Sequence, residues 1–259
     1  MISRISAISF NTFREAVRDR VLYNLVVFAI LIVGSALLFG QISIGIERLV
    51  LINLGLTSIS IFGVVIAIFI GIGLVSKEME KRTLYTVLGA RPVNRWEFII
   101  GKFLGLIGTL VVNTFFMSLG LLAALLYLVH KLERADAYLL VAIYFIVLEF
   151  VLITALALLF STFSSPLLSA VFAFSLFVIG TFSEDLRGLA GSTTGVTKWF
   201  ATVTAYAVPN FAAFNVVSQV AHSEPIAGNL IALNSVYTLL YSVVVLALAT
   251  MIFQRRDFK

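Results

Sequence analysis

Residues 49–76 read LVLINLGLTSISIFGVVIAIFIGIGLVS, an apolar run that contains no charged side chain. About 20 consecutive apolar residues suffice for an α-helix to cross the hydrocarbon core of a membrane. Similar windows occur at residues 21–46, 103–130, 139–160, 167–182 and 230–253, and only Glu149 interrupts them with a charge. The pattern predicts an all-α polytopic membrane protein with six transmembrane helices.

The composition of the whole chain agrees with this prediction. Of its 259 residues, 61% are hydrophobic and 12% are charged, whereas soluble domains carry about 25% charged residues. So few charges cannot cover a surface in water, which excludes a cytosolic enzyme, a nucleic-acid-binding module and a disordered tail. The chain contains no cysteine, which excludes disulfides and thiolate metal sites. We expect residues 1–259 to form a single transmembrane domain.

Lysine and arginine residues predict the orientation. With both termini in the cytoplasm, thirteen of the 18 basic residues fall in cytoplasmic segments and five fall outside. Cytoplasmic loops of membrane proteins carry this excess of positive charge. We therefore expect a multi-pass protein of a bacterial-type inner (plasma) membrane with both termini inside.

Two segments outside the windows are expected to meet the membrane surface. In residues 1–20, apolar side chains recur at helical spacing between charges, which predicts an amphipathic interfacial helix. Residues 184–229 form a long extracytoplasmic segment, whose apolar part at 196–221 is split by Pro209. We expect two short re-entrant or interfacial helices there. The interfacial helix contributes Phe10, Phe13, Arg14 and Glu15, and the outer segment buries Trp199, Phe200, Phe211 and Phe214 in the outer leaflet or against the spans.

The segment at residues 76–100 is rich in charge and joins the second and third windows. It begins SKEMEKRT at 76–83, continues LYTVLG, and reads ARPVNRWE at 90–97. An ordinary positive-inside loop needs no such alternation of acidic and basic residues. The apolar residues of its middle part recur at helical spacing, and Gly89 and Pro92 would end that helix. We expect a short cytoplasmic helix that contacts a partner protein through Lys77, Glu78, Glu80, Lys81, Arg82, Thr83, Arg91 and Arg95.

Polar and small residues inside the windows are the remaining candidates. Carboxyl groups within a membrane are costly, so Glu149 should face protein or a cavity. Asn113, Thr114 and Ser118 of the third window are candidates to meet it. Asn113, Ser118 and Glu149 are therefore the candidate transport-path residues. For Glu149, a role in a transport path or proton relay and a role in packing both stay open. Small residues recur every four positions at Gly63, Ala67 and Gly71 and again at Gly101 and Gly105, which suits close helix packing within the chain or between two copies.

No nucleotide-binding or metal-binding motif is present. Gly101 and Lys102 lack the upstream glycine of a phosphate-binding loop. The two histidines, His130 and His222, are far apart in sequence and form no paired-histidine motif. We expect neither a catalytic residue nor a metal ligand.

The charged segment resembles the type-2 class of ABC (ATP-binding cassette) export permeases. In that family the second span typically ends in a pattern similar to S-K-E-x-E-x-[KR]-T, followed by a short helix, A-[KR]-P-[VI]-x-R-x-E and G-K. Matching residues stand here at 76–83, 90–97 and 101–102. NTFREA at 11–16 and RRDF at 255–258 resemble the family's amino-terminal interfacial helix and its cytoplasmic end, whereas Gly89 departs from the pattern. Within the family the chain looks closest to permeases that serve copper-site maturation of nitrous-oxide reductase.

The resemblance implies the transmembrane subunit of an ATP-driven transporter that exports its substrate by alternating access. ATP and magnesium would bind to separate ATPase subunits, and this chain would bind no cofactor. Its expected partners are these ATPases, a second copy of the chain or a paralogous permease, and the lipid membrane. A periplasmic or extracellular protein would suit the long outer segment.

Two other functions stay open. One is an ion- or proton-coupled secondary transporter that uses Glu149 as its titrating group. The other is a membrane anchor that transmits force without transporting a substrate. The substrate itself is not readable from the sequence, because lipid-facing surfaces and paths for hydrophobic cargo have the same composition.

Overall fold

A computed structural model describes residues 2–17, 27–28, 30–32, 34–35, 38, 46–80, 94–129 and 134–255. In this part of the chain the regular elements are α-helices and two short 3-10 helices, at Arg134–Ala137 and Ala212–Phe214. The α-helices are α1 (Ile2–Ala16), α2 (Glu47–Glu80), α3 (Arg95–Val129), α4 (Tyr138–Ser161), α5 (Pro166–Thr181), α6 (Ser183–Ser192), α7 (Val196–Ala207), α8 (Val217–Ala221) and α9 (Gly228–Arg255). The predicted all-α class is confirmed.

Four of these helices are long and apolar enough to cross a membrane, namely α2, α3, α4 and α9. Two further pairs pass the same test only together. Helices α5 and α6 are bent by 55°, and α7 is bent by 54° against residues 212–221. The described residues thus give four spans, or up to six if each bent pair is one span. Most of the predicted first span, at 21–46, lies outside the described residues, although those described between 27 and 38 are helical.

Of the four long helices, α3 runs antiparallel to α2, α4 and α9, so the described bundle has two ends. At one end, Arg48 near the start of α2 contacts Asp136 just before α4. At the other end, Arg95 at the start of α3 contacts the last turn of α9. We call these the Arg48 end and the Arg95 end. The charged segment predicted to be cytoplasmic connects α2 and α3 at the Arg95 end.

Helix α4 forms the centre of the bundle and packs against α2, α3, α5 and α9. Its sequence is apolar all round, and such helices are buried. Phe145, Leu152, Ile153 and Ala155 are completely buried. The other long helices turn part of their surface toward α4 and leave large apolar side chains such as Phe69, Phe115 and Leu239 exposed.

The small residues of α2 provide contact surfaces for α4. A Cβ atom at Gly63 would overlap the ring of Phe150, and one at Gly71 would lie 3.4 Å from the Cβ of Ala157. The close approach that small residues permit is therefore used within the chain at these positions. Gly63 and Gly71 therefore serve packing within the chain, and not the packing between two copies that the sequence left open.

The amphipathic helix predicted in residues 1–20 is present as α1, which packs lengthwise on α3. Thr12 and Ala16 are buried, whereas Phe10 on the opposite side is 66% exposed. A Cβ atom at Gly105 would lie only 2.6 Å from the carbonyl oxygen of Ser9. The glycines at the start of α3 thus let α1 pack closely against it. The position of this helix relative to a membrane surface stays a prediction.

Candidate functional site

The buried carboxyl group of Glu149 lies near the middle of α4 and faces α2. Glu149 is buried, with a relative exposure of 8% for the residue. Ser60 on α2 donates a hydrogen bond from Oγ to Glu149 Oε2 at 2.8 Å. Because a buried polar group is costly unless hydrogen-bonded, this serine offsets part of the cost of placing the carboxyl group between two helices.

The sequence interpretation named the wrong helix as the source of this partner. Asn113 Nδ2 points to the sulfur of Met117 at 3.5 Å, and Thr114 donates to the carbonyl of Leu110 at 2.7 Å. The hydroxyl of Ser118 is buried and has no hydrogen-bond partner among the described residues. None of the three side chains bonds to Glu149, because α2 rather than α3 supplies the helix face next to that carboxyl group.

An apolar groove of about 490 Å³ lies between side chains of α3 and α4 toward the Arg48 end. Thr114 and Ser118 line it, so two of the predicted polar residues of α3 do share a cavity. Its further lining includes Phe115, Leu119, Leu122, Leu139, Leu140, Ile143, Val147 and, at one end, Asp136. Such a surface accommodates hydrocarbon rather than an ion.

Glu149 is not part of this groove. The groove receives Leu139, Ile143 and Val147 from α4, which lie four residues apart on one helix face. Successive residues of an α-helix are rotated by about 100°, so Glu149 lies on nearly the opposite side from Val147. The three candidate transport-path residues therefore do not share one site: Ser118 lines the groove, Glu149 lies between α4 and α2, and Asn113 is buried outside the groove lining.

A polar cluster joins three chain segments at the Arg48 end. The guanidinium group of Arg48 pairs with Asp136 at 2.6 Å and donates to the hydroxyl of Ser223 at 3.0 Å. The Asp136 side chain is 7% exposed and that of Arg48 20% exposed. These contacts connect the start of α2, the turn before α4 and the turn after α8.

Residues 209–214 of the outer segment are anchored between α5 and α9. The backbone N–H of Phe211 donates to the carbonyl of Gly180 at the end of α5, at 3.1 Å. The backbone N–H of Asn210 donates to the hydroxyl of Tyr237 at 3.0 Å, and Asn234 Nδ2 donates to the carbonyl of Ala213 at 2.9 Å. The outer segment is therefore held to the bundle by backbone groups, and α9 supplies two of the three partners.

The four aromatic residues predicted to bury in the outer segment occupy two different environments. Phe211 and Phe214 are buried, at 1% and 3% exposure, against the bundle. Trp199 and Phe200 on α7 are both 61% exposed in the single chain. Helices α6 and α7 pack mainly against each other, so α7 leaves these two rings uncovered. Burial of Trp199 and Phe200 in the outer leaflet stays a prediction.

The predicted coupling residues are described only in part. Lys77, Glu78 and Glu80 belong to the helical end of α2. The following set lies outside the described residues: Lys81, Arg82, Thr83 and Arg91. Arg95 is described, and its Nη1 donates to the carbonyls of Phe253 at 2.8 Å and Gln254 at 2.7 Å. Arg95 therefore contacts the end of α9, a contact that the sequence interpretation did not anticipate.

The start of α3 is held by a side chain of its own first turn and by a ring of α9. The carboxylate of Glu97 accepts the backbone N–H of Asn94 at 3.0 Å, which satisfies one of the unpaired donors at a helix N-terminus. The ring of Phe98 stacks on that of Phe253 with centroids 6.0 Å apart. The first turn of α3, which follows the charged loop, is therefore firmly packed.

Ser60, Asn234 and Tyr237 are contact residues that sequence reasoning did not single out. Ser60 stands in an apolar window with other small polar residues around it, and nothing in a single sequence marks it as the partner of Glu149. Asn234 and Tyr237 are three residues apart and therefore lie near one face of α9. That spacing was a signal for polar contacts on one side of the last span.

Comparison with known proteins agrees with this architecture. No curated protein matches the chain. The family profile described as "ABC-2 family transporter protein" matches residues 6–258, nearly the whole length. The match includes the helices, the charged segment between α2 and α3, and the outer segment. The chain therefore belongs to the ABC-2 family of transporter proteins and is a transmembrane subunit of an ABC transporter.

Proposed function

We propose that this subunit exports a hydrophobic substrate with energy from separate ATPase subunits, as one of two permeases in the assembly. Family membership carries the proposal, because ABC-2 permeases associate with ABC ATPase subunits. The absence of a phosphate-binding sequence motif agrees with an ATPase on another chain. The orientation expected from basic residues places the Arg95 end in the cytoplasm.

The lengths of α2 and α3 support the Arg95 end as the ATPase-binding surface. Helix α2 has 34 residues and α3 has 35. At about 1.5 Å per residue, each is roughly 50 Å long, whereas the hydrocarbon core is about 30 Å thick. Both helices therefore extend beyond the core. The charged residues 77–80 end α2, and we assign the contact with the ATPase to them and to the loop at 81–93.

The apolar groove between α3 and α4 is the observation that supports the proposal of a hydrophobic substrate. Thr114 and Ser118 are the hydroxyl groups in its apolar lining. An ATPase movement at the Arg95 end would shift pre-existing inward-facing and outward-facing states of two permeases. A close relationship to the permeases of nitrous-oxide-reductase maturation stays a prediction.

A secondary transporter that titrates Glu149 is less well supported. Glu149 lies away from the groove and is hydrogen-bonded to Ser60 at 2.8 Å. That placement favours a packing role for the carboxyl group.

The proposal is tested with the complex of this chain and its ATPase in proteoliposomes. ATP hydrolysis and movement of a fluorescent phospholipid analogue are measured for Glu78→Ala and Arg82→Ala. On a helix these residues lie four positions apart on one face, and truncating a buried charge at an interface costs about 2–5 kcal/mol. We expect both variants to assemble, but to lose the effect of the permease on ATP hydrolysis.

Lys198→Ala on α7 is the matched control, because this exposed charge belongs to the outer segment. It should behave as the parent protein does. Unchanged hydrolysis and transport in both loop variants would show that the loop is only a positive-inside anchor. Transport driven by a pH gradient without ATP would favour the secondary transporter.

A further inference from the structure

The last span, α9, is attached at its Arg95 end to α3, the helix that follows the charged loop. Arg95 donates to the carbonyls of Phe253 and Gln254. Its guanidinium carbon also lies 6.0 Å from the centroid of the Phe253 ring, and that ring stacks on Phe98. The last carbonyls of a helix have no partner within the helix, so Arg95 satisfies groups that would otherwise need water. A movement of the start of α3, where the charged loop ends, would therefore act on the end of α9.

The same helix is attached at its other end to residues 209–214. Tyr237 accepts the backbone N–H of Asn210 at 3.0 Å, and Asn234 donates to Ala213 at 2.9 Å. Between these two residues, Ser235 hydrogen-bonds Tyr144 of α4 at 2.7 Å. The polar contacts of α9 with the outer segment and with α4 are thus gathered within one turn of helix.

The length of α9 between these attachments is held mainly by apolar packing. Thr238 and Ser242 face the bundle and are buried, yet their hydroxyl groups have no hydrogen-bond partner in the part of the chain that the structure describes. Toward the Arg95 end the buried face continues with Val245 and Ala249. Apolar packing lacks the directionality of a hydrogen bond, so this length of α9 can shift on α4, and such a shift would act on the hydrogen bond between Ser235 and Tyr144 near the other end of the helix.

We propose that α9 carries movement of the cytoplasmic loop to the outer segment, and that Arg95 is the positioning residue that joins the start of α3 to α9. This inference rests on the proposed function, because the movement originates in the ATPase. It adds a route: displacement of the start of α3 pulls on the carbonyls of Phe253 and Gln254, and α9 passes the displacement to Tyr237 and residues 209–214. An outward opening would then begin where Phe211 lies against Gly180 at the end of α5.

The experiment follows the outer segment while ATP acts at the opposite end. The chain has no native cysteine, so a single cysteine replaces the half-buried Ala212 in the assembled complex. Its rate of reaction with a maleimide is measured in proteoliposomes with and without ATP. Arg95→Ala removes the hydrogen bonds to the carbonyls of Phe253 and Gln254 at one end of α9 and leaves the stacking of Phe253 on Phe98 in place. Tyr237→Phe removes the hydroxyl that accepts the Asn210 N–H.

Matched controls come from residues outside this route. Arg187→Ala removes an exposed arginine whose guanidinium carbon lies 5.6 Å from the Tyr206 ring centroid, and Tyr127→Phe removes the hydroxyl of an exposed tyrosine of α3. In the parent and in both controls, ATP should change the labelling rate. In Arg95→Ala and in Tyr237→Phe, the rates with and without ATP should become equal while the ATPase stays bound. Arg95→Lys, which keeps a donor, should restore part of the difference.

The results separate the two proposals. An ATP-dependent change in labelling that persists in both Arg95→Ala and Tyr237→Phe overturns the route through α9, even if transport is confirmed. A parent complex that neither hydrolyses ATP in response to the permease nor moves the phospholipid analogue overturns the proposed function. If Arg95→Ala prevents assembly, Tyr237→Phe alone decides: equal rates support the route and a retained difference refutes it.

Discussion

Replacing Gly105 by alanine tests the contact between α1 and α3. The added Cβ would lie 2.6 Å from the carbonyl oxygen of Ser9 and 2.7 Å from the Cβ of Thr12, whereas ordinary contact begins at 3.4 Å. The nearest atom belongs to the backbone of α1 and cannot rotate away. Helix α1 must therefore move as a unit, and overpacking of this kind costs about 1–3 kcal/mol.

Gly108→Ala is the matched control on the same helix. Its Cβ would lie 3.6 Å from Phe13 Cδ2, an ordinary contact. Both substitutions gain helix propensity of about 0.8–1.0 kcal/mol, and this gain cancels when the two variants are compared. We therefore expect the free energy of unfolding of Gly105→Ala to be about 1–3 kcal/mol lower than that of Gly108→Ala, which is the overpacking cost alone.

The assay is reversible unfolding of the purified protein in mixed micelles by titration with dodecyl sulfate. Detachment of α1 is followed separately through Thr12→Cys, because Thr12 is completely buried in the parent structure. That cysteine should react faster with maleimide when combined with Gly105→Ala than when combined with Gly108→Ala. Equal unfolding free energies and equal labelling rates would refute the packing of α1 on α3.

Three further predictions concern the membrane interior, the Arg48 end and the outer segment. Glu149→Gln should fold as the parent does, because an amide oxygen also accepts the Ser60 hydrogen bond. Glu149→Lys should reduce the yield of folded protein, and loss of folding in Glu149→Gln would contradict the packing role of the carboxyl group. A double-mutant cycle of Arg48→Ala and Asp136→Ala should give a coupling energy of about 0.5–3 kcal/mol in the same unfolding assay, and zero coupling would deny the ion pair any role in stability. Trp199→Cys should react more slowly with a membrane-impermeant maleimide in proteoliposomes than Ser218→Cys; equally fast reaction would place α7 in water.

The long helices were predictable because a membrane span has a strong and local sequence signal. The window at 49–76 lies within α2, which runs from Glu47 to Glu80, and the window at 139–160 matches α4 closely. The signal ends where apolar character ends. It therefore missed that Lys77, Glu78 and Glu80 continue α2 without a break instead of belonging to a separate short cytoplasmic helix. A charged stretch after an apolar window looks the same in sequence whether or not the helix continues into it.

Contacts between helices were much harder to predict, since they depend on which helices are neighbours. Burial of Glu149 followed from the cost of an intramembrane carboxyl group, but its partner Ser60 comes from α2 and not from α3. The sequence placed Arg95 in a surface that binds another protein, yet its hydrogen bonds to the end of α9 span more than 150 residues of sequence. Neither pairing produces a periodic pattern that could be recognised in a single sequence.

The packing of α1 on α3 has a consequence for the order of events during synthesis. Ser9 and Thr12 leave the ribosome roughly 95 residues before Gly105, the residue against which they pack, and at 5–20 residues per second this takes about 5 to 20 s. During that interval α3, on which α1 packs in the described part of the chain, has not yet been made. An amphipathic helix binds to a membrane surface through its apolar face. The bilayer would therefore hold α1 until α3 is inserted, and the glycines of α3 would then replace lipid as its binding surface.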